Sequence, residues 1–568
     1  MADLHPPRVV VERAANPPHR HAPWVLHPVD DTGRPLGPPI EAADGAGLAI
    51  AIDRLERAWS PRWVWPATAA IYPAVVAAGV RVGRCHDLAH TELLLLAHEG
   101  RWGELDDAWH VLALAHGAEP ESQPTLLDGL EEPPPHDAAP HGASALDRHR
   151  DQLTRVASAR ERHGGFALLT AAESAGALAA VEMGIAGLPW DGAAHDAILT
   201  ELLGPRPAAG RPALLQALAV ELASALDDDR VNPDSPADLL RSLRRAGLAV
   251  NSTRRHELAR HDHPVVPLVR RYKELARLWT ANGWAWHDAW VREGRFHPEY
   301  VPAGVVSGRW ATRGGGALQI PKAVRAAVRA PSGRALIVAD AGQLEPRVLA
   351  ALSGDTGMIA ATRAGDLYAE LAAQALGRPE ARSEAKIALL SAMYGGGTGS
   401  PALAALRRRF GRALAVLEDA ARRGEDGGSV TSVLGRVCPP APSSWLDGLG
   451  ETAAGARTRA RGRFTRNFVV QASAADWAAV LIAGLRRRLA ELDPTPDDAG
   501  SGSDDAWPAQ LVFFQHDEVI VECRAAQAEA VVHAVREAGE EATRLVLGRT
   551  GVTIPLDAAV VDTYADKG

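Results

Sequence analysis

Residues 338–347 read VADAGQLEPR, an apolar run that ends in Asp340 and continues into a helix-forming segment. The apolar run begins at Ala335 and is typical of a short buried strand. An acid at the end of such a strand can point into a cleft, but it can equally cap a turn or a helix. The stretch alone therefore leaves both a catalytic and a structural role open for Asp340.

A second acidic stretch, Phe514–Ile520, reads FQHDEVI, and its two acids lie between the strand-like runs at residues 511–514 and 519–522. The pattern predicts a β-hairpin whose turn carries Asp517 and Glu518. Burying carboxylates among apolar strands costs free energy unless a cation compensates them. A simple surface turn is the alternative interpretation.

A third stretch places Arg382, Lys386, Leu390 and Tyr394 at steps of four, after Pro379, which suits the first turn of a helix. Steps of four bring side chains to one helix face. Two cations and an aromatic ring on one face suit a triphosphate and a base. The alternative is the solvated edge of an amphipathic helix.

The composition indicates a large protein with several packed subregions, because 568 residues exceed one ordinary core. No apolar run reaches the ~18 residues of a membrane span, and the N-terminus lacks a secretion signal, so we expect a cytoplasmic protein without a membrane partner. The three cysteines are scattered, which favours buried thiols over disulfides or a zinc site.

The net charge of -9, taken alone, argues against a nucleic-acid partner. However, arginines cluster in residues 407–412 and 457–466.

In their order and spacing, the three stretches resemble motifs A, B and C of family A DNA polymerases. Ser307–Trp310 followed by Leu318–Pro321 is similar to the family's TGR…LQNIP segment, without its Asn. Arg463–Asp476 is similar to the family's RxxxNxxxQGTAAD helix. The resemblance is strong over residues 301–568 and weaker before them, where residues 231–235 match the thumb pattern.

The resemblance implies an α/β multidomain fold with a right-hand polymerase and an N-terminal exonuclease-like α/β domain. The right hand would contain a palm with an antiparallel sheet, helical fingers and a helical thumb. The expected boundaries are 1–165 for the exonuclease-like domain, 166–300 for the thumb, 301–354 and 466–568 for the two parts of the palm, and 355–465 for the fingers.

The resemblance also implies a site for two Mg²⁺ ions, which Mn²⁺ would be able to replace, with Asp340, Asp517 and the backbone carbonyl of Ala341 as ligands. Glu518 would be an auxiliary acid, and Lys386 would protonate the pyrophosphate leaving group. The expected dNTP-binding residues are Arg382, Lys386, Leu390, Tyr394, Gln343 and Glu345. The expected DNA-binding residues are Arg309, Gln319, Arg463, Asn467, Gln471 and His516.

The sequence departs from the family pattern at several positions. Ala341-Gly342 stands where the family has Tyr-Ser, and Leu390 stands where it has Phe or Tyr. Loss of that ring should alter sugar discrimination, so we expect strong discrimination against dideoxynucleotides. The first 165 residues contain no Asp-x-Glu and no Tyr-x-x-x-Asp, and Asp30, Asp31 and Asp87 lack the spacing of a 3′-5′ exonuclease site. We therefore expect a degenerate exonuclease-like domain and no 5′ nuclease.

The resemblance predicts a monomeric, nucleoid-associated DNA polymerase that acts on primer-template DNA and dNTPs. Two other functions stay open on the sequence alone. A silent DNA-binding protein that kept the fold is allowed by Leu390 and by the missing exonuclease acids. A nuclease that acts through unrecognised N-terminal acids is the other alternative.

Overall fold

A computed structural model describes residues 7–14, 24–104, 144–313, 315–316, 318, 320–396, 399–492 and 508–567. The chain divides into two compact units. Unit 1 comprises Met1–Ile185, Tyr300–Ala311 and Ala339–Ala559, and unit 2 comprises Ala186–Glu299, Thr312–Val338 and Val560–Gly568. The predicted site residues that the structure describes all fall in unit 1, and Gln319 lies outside the described residues.

The N-terminal part of unit 1 is a five-stranded sheet of order β3-β2-β1-β4-β5 with helices packed against it. β1 pairs antiparallel with β2 and parallel with β4, and β4 pairs parallel with β5. Buried Val9, Val11, Trp63 and Trp65 alternate along β1 and β4 toward one core, the period of two that a strand imposes. The elements are β1 Arg8–Arg13, β2 Trp24–Val29, β3 Ile40–Ala42, α1 Gly45–Trp59, β4 Arg62–Trp65, α2 Thr68–Ala77, β5 Arg84–Asp87, α3 Leu88–Glu99, α4 Ala145–Arg162 and α5 Phe166–Ala186.

Unit 2 is mainly helical, in agreement with the periodicity predicted for residues 214–226 and 237–246. It also contains a small sheet of order β6-β8-β7. In chain order the next elements are β6 Leu188–Pro189, α6 Gly192–Leu203, α7 Ala213–Ala225, α8 Pro236–Arg245, α9 Arg255–Leu258, α10 Val265–Asn282, α11 Trp284–Trp290, β7 Val291–Arg292, β8 Arg295–Phe296, β9 Glu299–Val301, β10 Ala311–Arg313 and a 3-10 helix at Lys322–Ala327.

The C-terminal part of the chain contains a four-stranded sheet of order β12-β13-β11-β14. β12 and β13 form the predicted antiparallel hairpin, with Gln515 opposite Glu518. The elements are β11 Arg334–Ala341, α12 Leu344–Ser353, α13 Thr356–Ala361, α14 Leu367–Leu376, α15 Arg382–Tyr394, α16 Pro401–Arg409, α17 Gly411–Glu425, α18 Glu451–Ala490, β12 Ala509–Gln515, β13 Glu518–Arg524, α19 Ala528–Leu547 and β14 Leu556–Val561.

Buried ion pairs join the N-terminal part of unit 1 to α18. Arg486 on α18 donates to both carboxylate oxygens of Glu182 on α5, at 2.9 and 2.7 Å, and Tyr72 on α2 donates to the same carboxylate at 2.6 Å. A second buried network joins Arg436 to Glu173 on α5 and Asp476 on α18. Breaking a buried pair leaves an uncompensated charge, so these contacts tie α5 firmly to α18.

Among the residues that the structure describes, two helices, α5 and α18, are long and apolar enough to cross a membrane by length and composition. In each helix, 72% of the apolar window is buried inside the protein. That burial is typical of a core helix, and such helices are weak evidence for a membrane span. All three cysteines, Cys85, Cys438 and Cys523, are buried free thiols, as predicted.

Candidate functional site

The end of β11 and the turn between β12 and β13 bring Asp340 and Asp517 together. The backbone N–H of Ala341 donates to the carbonyl of Asp517 at 3.0 Å, so the two acids lie on neighbouring backbone segments. The tight turn is closed by a hydrogen bond from Asp517 N–H to the Gln515 carbonyl at 2.7 Å, with His516 in the left-handed conformation at φ 59°. The sheet register thus places both predicted ligands at one strand end.

The electrostatics of this pair differ from those of two ordinary surface acids. Burial, together with the neighbouring carboxylates of Asp340 and Glu345, raises the pKa of Asp517 to about 7, although Arg309 opposes the shift. Two like charges in a half-buried site resist simultaneous ionisation. The positive charge of Arg309 is therefore too small to offset the acids of the site.

The donor set suits a hard divalent cation. Mg²⁺ takes oxygen ligands and keeps several waters, so it needs only one or two protein carboxylates. Asp340, Asp517 and the adjacent Ala341 carbonyl offer such oxygens at one strand end. In the described part of the chain, no group of three or more His, Cys, Asp or Glu side chains is placed to hold a metal ion.

A second cluster lies beside the acid pair around Glu345 in the first turn of α12. Arg309 forms an ion pair with one Glu345 oxygen, and the Tyr394 hydroxyl donates to the other. Burial and the Glu345 carboxylate raise the pKa of Tyr394 well above its ordinary value, so the phenol remains a donor. Gln471 on α18 lies within hydrogen-bonding reach of Tyr394. The cluster thus joins α12, the end of α15 and α18.

The four side chains predicted to share one helix face form a stripe on the outer part of α15. Arg382 and Lys386 are exposed, Leu390 is half-buried and Tyr394 is 39% exposed. The opposite face packs into unit 1 through buried residues, namely Ala385, Ala388, Leu389, Ala392 and Met393. The helix therefore presents two cations and one aromatic ring together, as the spacing predicts.

Two of the predicted DNA-binding residues on α18, Arg463 and Asn467, contact the end of α15. The amide nitrogen of Asn467 donates one hydrogen bond to the carbonyl of Met393 at 2.6 Å and another to the carbonyl of Arg463 at 3.2 Å. Gly395 has φ 73°, and a Cβ there would lie 2.6 Å from Cγ of Arg463. Only glycine fits this close approach at a positive φ. Asn467 and Arg463 therefore position the C-terminal end of α15.

The turn that carries Arg309 is supported by a buried side chain that sequence reasoning missed. Gly308 has φ 81°, and a Cβ there would lie 2.4 Å from Cζ of Arg436. Arg436 is itself 5% exposed and paired with Glu173 and Asp476. In an arginine-rich chain, no local signal distinguishes Arg436 from its solvated neighbours.

Other missed residues lie next to the predicted ones. Arg347 is fully buried and donates to backbone carbonyls at Gly342, in residues 362–365 and at Thr553, which fixes the chain after β11. Asp366 contacts Arg382 and Gln343, and Tyr368 lies below Arg382 and Lys386. The only sequence signal for Asp366 is its place before an apolar periodic segment, which is typical of a helix N-cap.

Comparison with known families gives one match that covers more than half of the chain. The model for DNA polymerase family A matches residues 215–565. This range contains Asp340, Arg382, Lys386, Tyr394 and Asp517.

Several curated proteins are similar to the chain. DNA polymerase I, thermostable, from Thermus filiformis is 28% identical over 315 residues, which cover 50% of this chain and 35% of that protein. DNA polymerase I from Pseudomonas aeruginosa is 25% identical over 327 residues, which cover 53% of this chain and 33% of that protein. The chain thus spans about a third of the length of these relatives.

A solved structure has a similar fold over almost the whole chain. It is described as the POL domain of Pol1 from M. smegmatis in complex with DNA primer-template and dNTP. The TM-score is 0.66 at 18% sequence identity, and the match covers 98% of this chain and 95% of the other. At this identity the likeness is one of fold.

Proposed function

Since the chain belongs to DNA polymerase family A, we propose that it is a template-directed DNA polymerase that adds dNTPs to a primer 3′ end. The observation that carries the proposal is the meeting of Asp340 and Asp517 at one strand end, where burial and the Asp340 carboxylate raise the pKa of Asp517. Carboxylates held together in this way are the ligands that two-metal phosphoryl transfer requires.

The proposed substrates are primer-template DNA and dNTPs, the molecules named for the mycobacterial structure. Asp340, Asp517 and the Ala341 carbonyl would hold two Mg²⁺ ions, which Mn²⁺ would be able to replace. When bound, the ions would activate the primer hydroxyl and neutralise charge on the triphosphate. The chain would act as a monomer in the cytoplasm, near the nucleoid. Its proposed domains are an N-terminal exonuclease-like domain at 1–165, a thumb at 166–300, a palm at 301–354 and 466–568, and fingers at 355–465.

The side chains of α15 would handle the triphosphate. Arg382 and Lys386 would bind its oxygens as the nucleotide docks on the helix, and their positive charge would stabilise the charge that develops at the displaced phosphate. Lys386 would then donate a proton to the pyrophosphate leaving group, a step for which an arginine is too weak an acid. Glu518 beside the turn would assist near the primer end.

The Glu345 cluster would select the nucleotide. Glu345 is held by Arg309 and Tyr394, which supports a rigid wall against a ribose 2′-hydroxyl. Tyr394 would lie at the templating base, and Gln343 would shape the sugar pocket. A Glu345 side chain held by both Arg309 and Tyr394 moves little, so it would exclude ribonucleotides by steric hindrance.

The duplex would be held near the primer terminus by polar side chains that do not read sequence. Minor-groove acceptors are common to all base pairs, so contacts there report pairing geometry. The proposed residues are Arg309, Gln319, Arg463, Asn467, Gln471 and His516.

We propose that the N-terminal region lacks proofreading activity. Asp87 is fully buried, caps α3 through His90 N–H at 2.9 Å and accepts from Thr68 N–H at 2.7 Å. Asp30 is likewise used by its own turn, accepting from Thr32 N–H at 2.8 Å and Arg34 N–H at 2.9 Å. Both acids are engaged in structural hydrogen bonds, which supports a degenerate domain.

Primer extension on a short labelled template tests the proposal against its alternatives. With Mg²⁺ and all four dNTPs, the primer should grow to the template end, and omission of one dNTP should stop it before the first position that requires that base. A chain that binds DNA without extension would be the silent DNA-binding protein. Shortening of the primer, including one with a 3′ mismatch, would support the nuclease instead.

The pH dependence of the cation requirement follows from Asp517. With its pKa at about 7, a proton competes with the cation below pH 7 and no longer does so above it. We therefore expect the half-saturating Mg²⁺ concentration for extension to be about tenfold higher at pH 6 than at pH 8. Mg²⁺ titrations at the two pH values measure it, and equal half-saturation points would contradict the prediction.

Sugar discrimination offers a further prediction at Leu390. The aliphatic side chain offers less stacking than a ring, so correct placement of the nucleotide should depend more on its 3′-hydroxyl. In competition between deoxy and dideoxy substrates, we expect a preference of at least about tenfold for the deoxy form. Sequencing-ladder intensities measure the ratio, and comparable incorporation would count against the expectation.

A further inference from the structure

The arginine proposed to bind the triphosphate is held by an acid outside the predicted site. Asp366 precedes α14 and caps it, since its Oδ1 accepts from the backbone N–H of Tyr368 at 3.0 Å and of Ala369 at 3.3 Å. Its other oxygen, Oδ2, accepts from Nε of Arg382 at the start of α15. One carboxylate therefore fixes a helix end and a guanidinium at the same time.

The same carboxylate reaches the segment that follows Asp340. Nε2 of Gln343 donates to Oδ1 of Asp366 at 2.9 Å, and Oε1 of Gln343 accepts from Leu367 N–H at 2.9 Å. Gln343 has the left-handed conformation at φ 58°, an uncommon one for a residue with a side chain. Asp366 thus connects the chain beyond β11 with α15.

An aromatic ring completes the arrangement. The ring centre of Tyr368 lies 5.8 Å from Cζ of Arg382 and 5.8 Å from Nζ of Lys386. Tyr368 is only 5% exposed, so its position is set by packing. A buried ring that faces two cations restricts both of them.

Asp366 stays ionised in this setting. Burial by itself would raise the pKa of Asp366, but hydrogen bonds from Arg382 and Gln343 lower it overall. A charged acceptor makes a stronger hydrogen bond to a guanidinium than a neutral one. The contact is made through Nε of the Arg382 guanidinium.

We propose that Asp366 is a positioning residue that orients Arg382 for the triphosphate of the incoming nucleotide, with Gln343 and Tyr368 holding the arrangement. The inference rests on the proposed polymerase function. A free arginine loses side-chain entropy when it binds phosphate, whereas an anchored one has lost that freedom already. An acid that merely competed with the triphosphate for Arg382 would have the opposite effect on nucleotide binding.

Asp366→Asn separates these possibilities. Asparagine is as good an N-cap as aspartate, and its oxygen can keep the bonds to α14 and Gln343, but its amide nitrogen cannot accept from Arg382. We expect KM for dNTPs to rise about five- to twentyfold, with kcat within about threefold of the natural chain. Asp366→Ser, which also caps a helix, provides a second variant if the first is unstable.

A matched control and a double variant sharpen the test. Glu384 is exposed on α15 and pairs with Arg378 at 3.3 Å. Glu384→Gln therefore removes one charge away from the stripe and should leave KM for dNTPs unchanged. In an Arg382→Ala background, Asp366→Asn should add little to the rise in KM, because its partner is gone. Binding of inorganic tripolyphosphate by calorimetry should weaken by the same factor as KM rises.

The outcomes are distinguishable. Absence of extension by the natural chain would remove the proposed function, while the tripolyphosphate measurement would still test the role of Asp366. If the natural chain extends primers, an unchanged or lowered KM in Asp366→Asn would overturn the inference. Full additivity with Arg382→Ala would overturn it as well.

Discussion

Replacing Asp517 with alanine is expected to abolish primer extension, lowering the rate by at least about 10³-fold. The substitution removes one of the two carboxylates that meet at the end of β11 and leaves Asp340 without the partner that would share its cations. The hairpin should survive, because its turn is closed by the backbone bond between Asp517 N–H and the Gln515 carbonyl. Single-turnover extension with excess enzyme measures the rate directly.

The control for this variant is Glu529→Gln, which removes one negative charge from an exposed position on α19. Glu529→Gln should extend primers at the rate of the natural chain. Both variants should have melting temperatures close to that of the natural chain. Retention of more than about a tenth of the rate by Asp517→Ala would contradict the two-carboxylate mechanism, since each ligand is required for the displacement.

Lys386→Arg is expected to have the second largest effect, a fall in kcat of about 10²-fold with a much smaller change in KM. Arginine keeps the positive charge on the exposed stripe of α15, so nucleotide binding should be largely preserved. It cannot release its proton at working pH, so protonation of the pyrophosphate should be lost. Single-turnover rates at saturating dNTP across a range of pH measure the chemical step.

Lys322→Arg makes the same exchange at an exposed lysine of the 3-10 helix Lys322–Ala327, far along the chain from α15. Its rates should match those of the natural chain. If Lys386→Arg raised KM strongly and left kcat unchanged, Lys386 would contribute binding charge alone, and the proton-donor role would be wrong.

Much of the candidate site follows from local pattern. The apolar run before Asp340 forms β11, the FQHDEVI stretch forms the β12–β13 turn, and the four-residue steps put Arg382, Lys386 and Tyr394 on the outer part of α15. Each of these depends on periodicity or on a tight turn, which neighbouring residues specify. The family prediction is confirmed by the match over residues 215–565.

The contacts that position those residues could not be predicted in the same way. Arg436 under Gly308, Asp366 beside Arg382 and Arg486 against Glu182 join segments that are far apart in the chain. Nothing in the local sequence distinguishes a buried, paired arginine from an exposed one, particularly where nearly all basic residues are arginines. Domain boundaries, Gln319 and the degenerate state of the N-terminal region stay predictions.

By itself, the sequence determined the family, the two acidic strand ends and the cationic helix face, because strands, turns and helices are specified by residues close along the chain. Only the tertiary structure decided that the carboxylates of Asp340 and Asp517 interact electrostatically. It also decided that Arg309 and Tyr394 both hold Glu345, and that Asp366 fixes Arg382. Those facts depend on which distant surfaces pack together, and charges interact according to their separation in space and not along the chain.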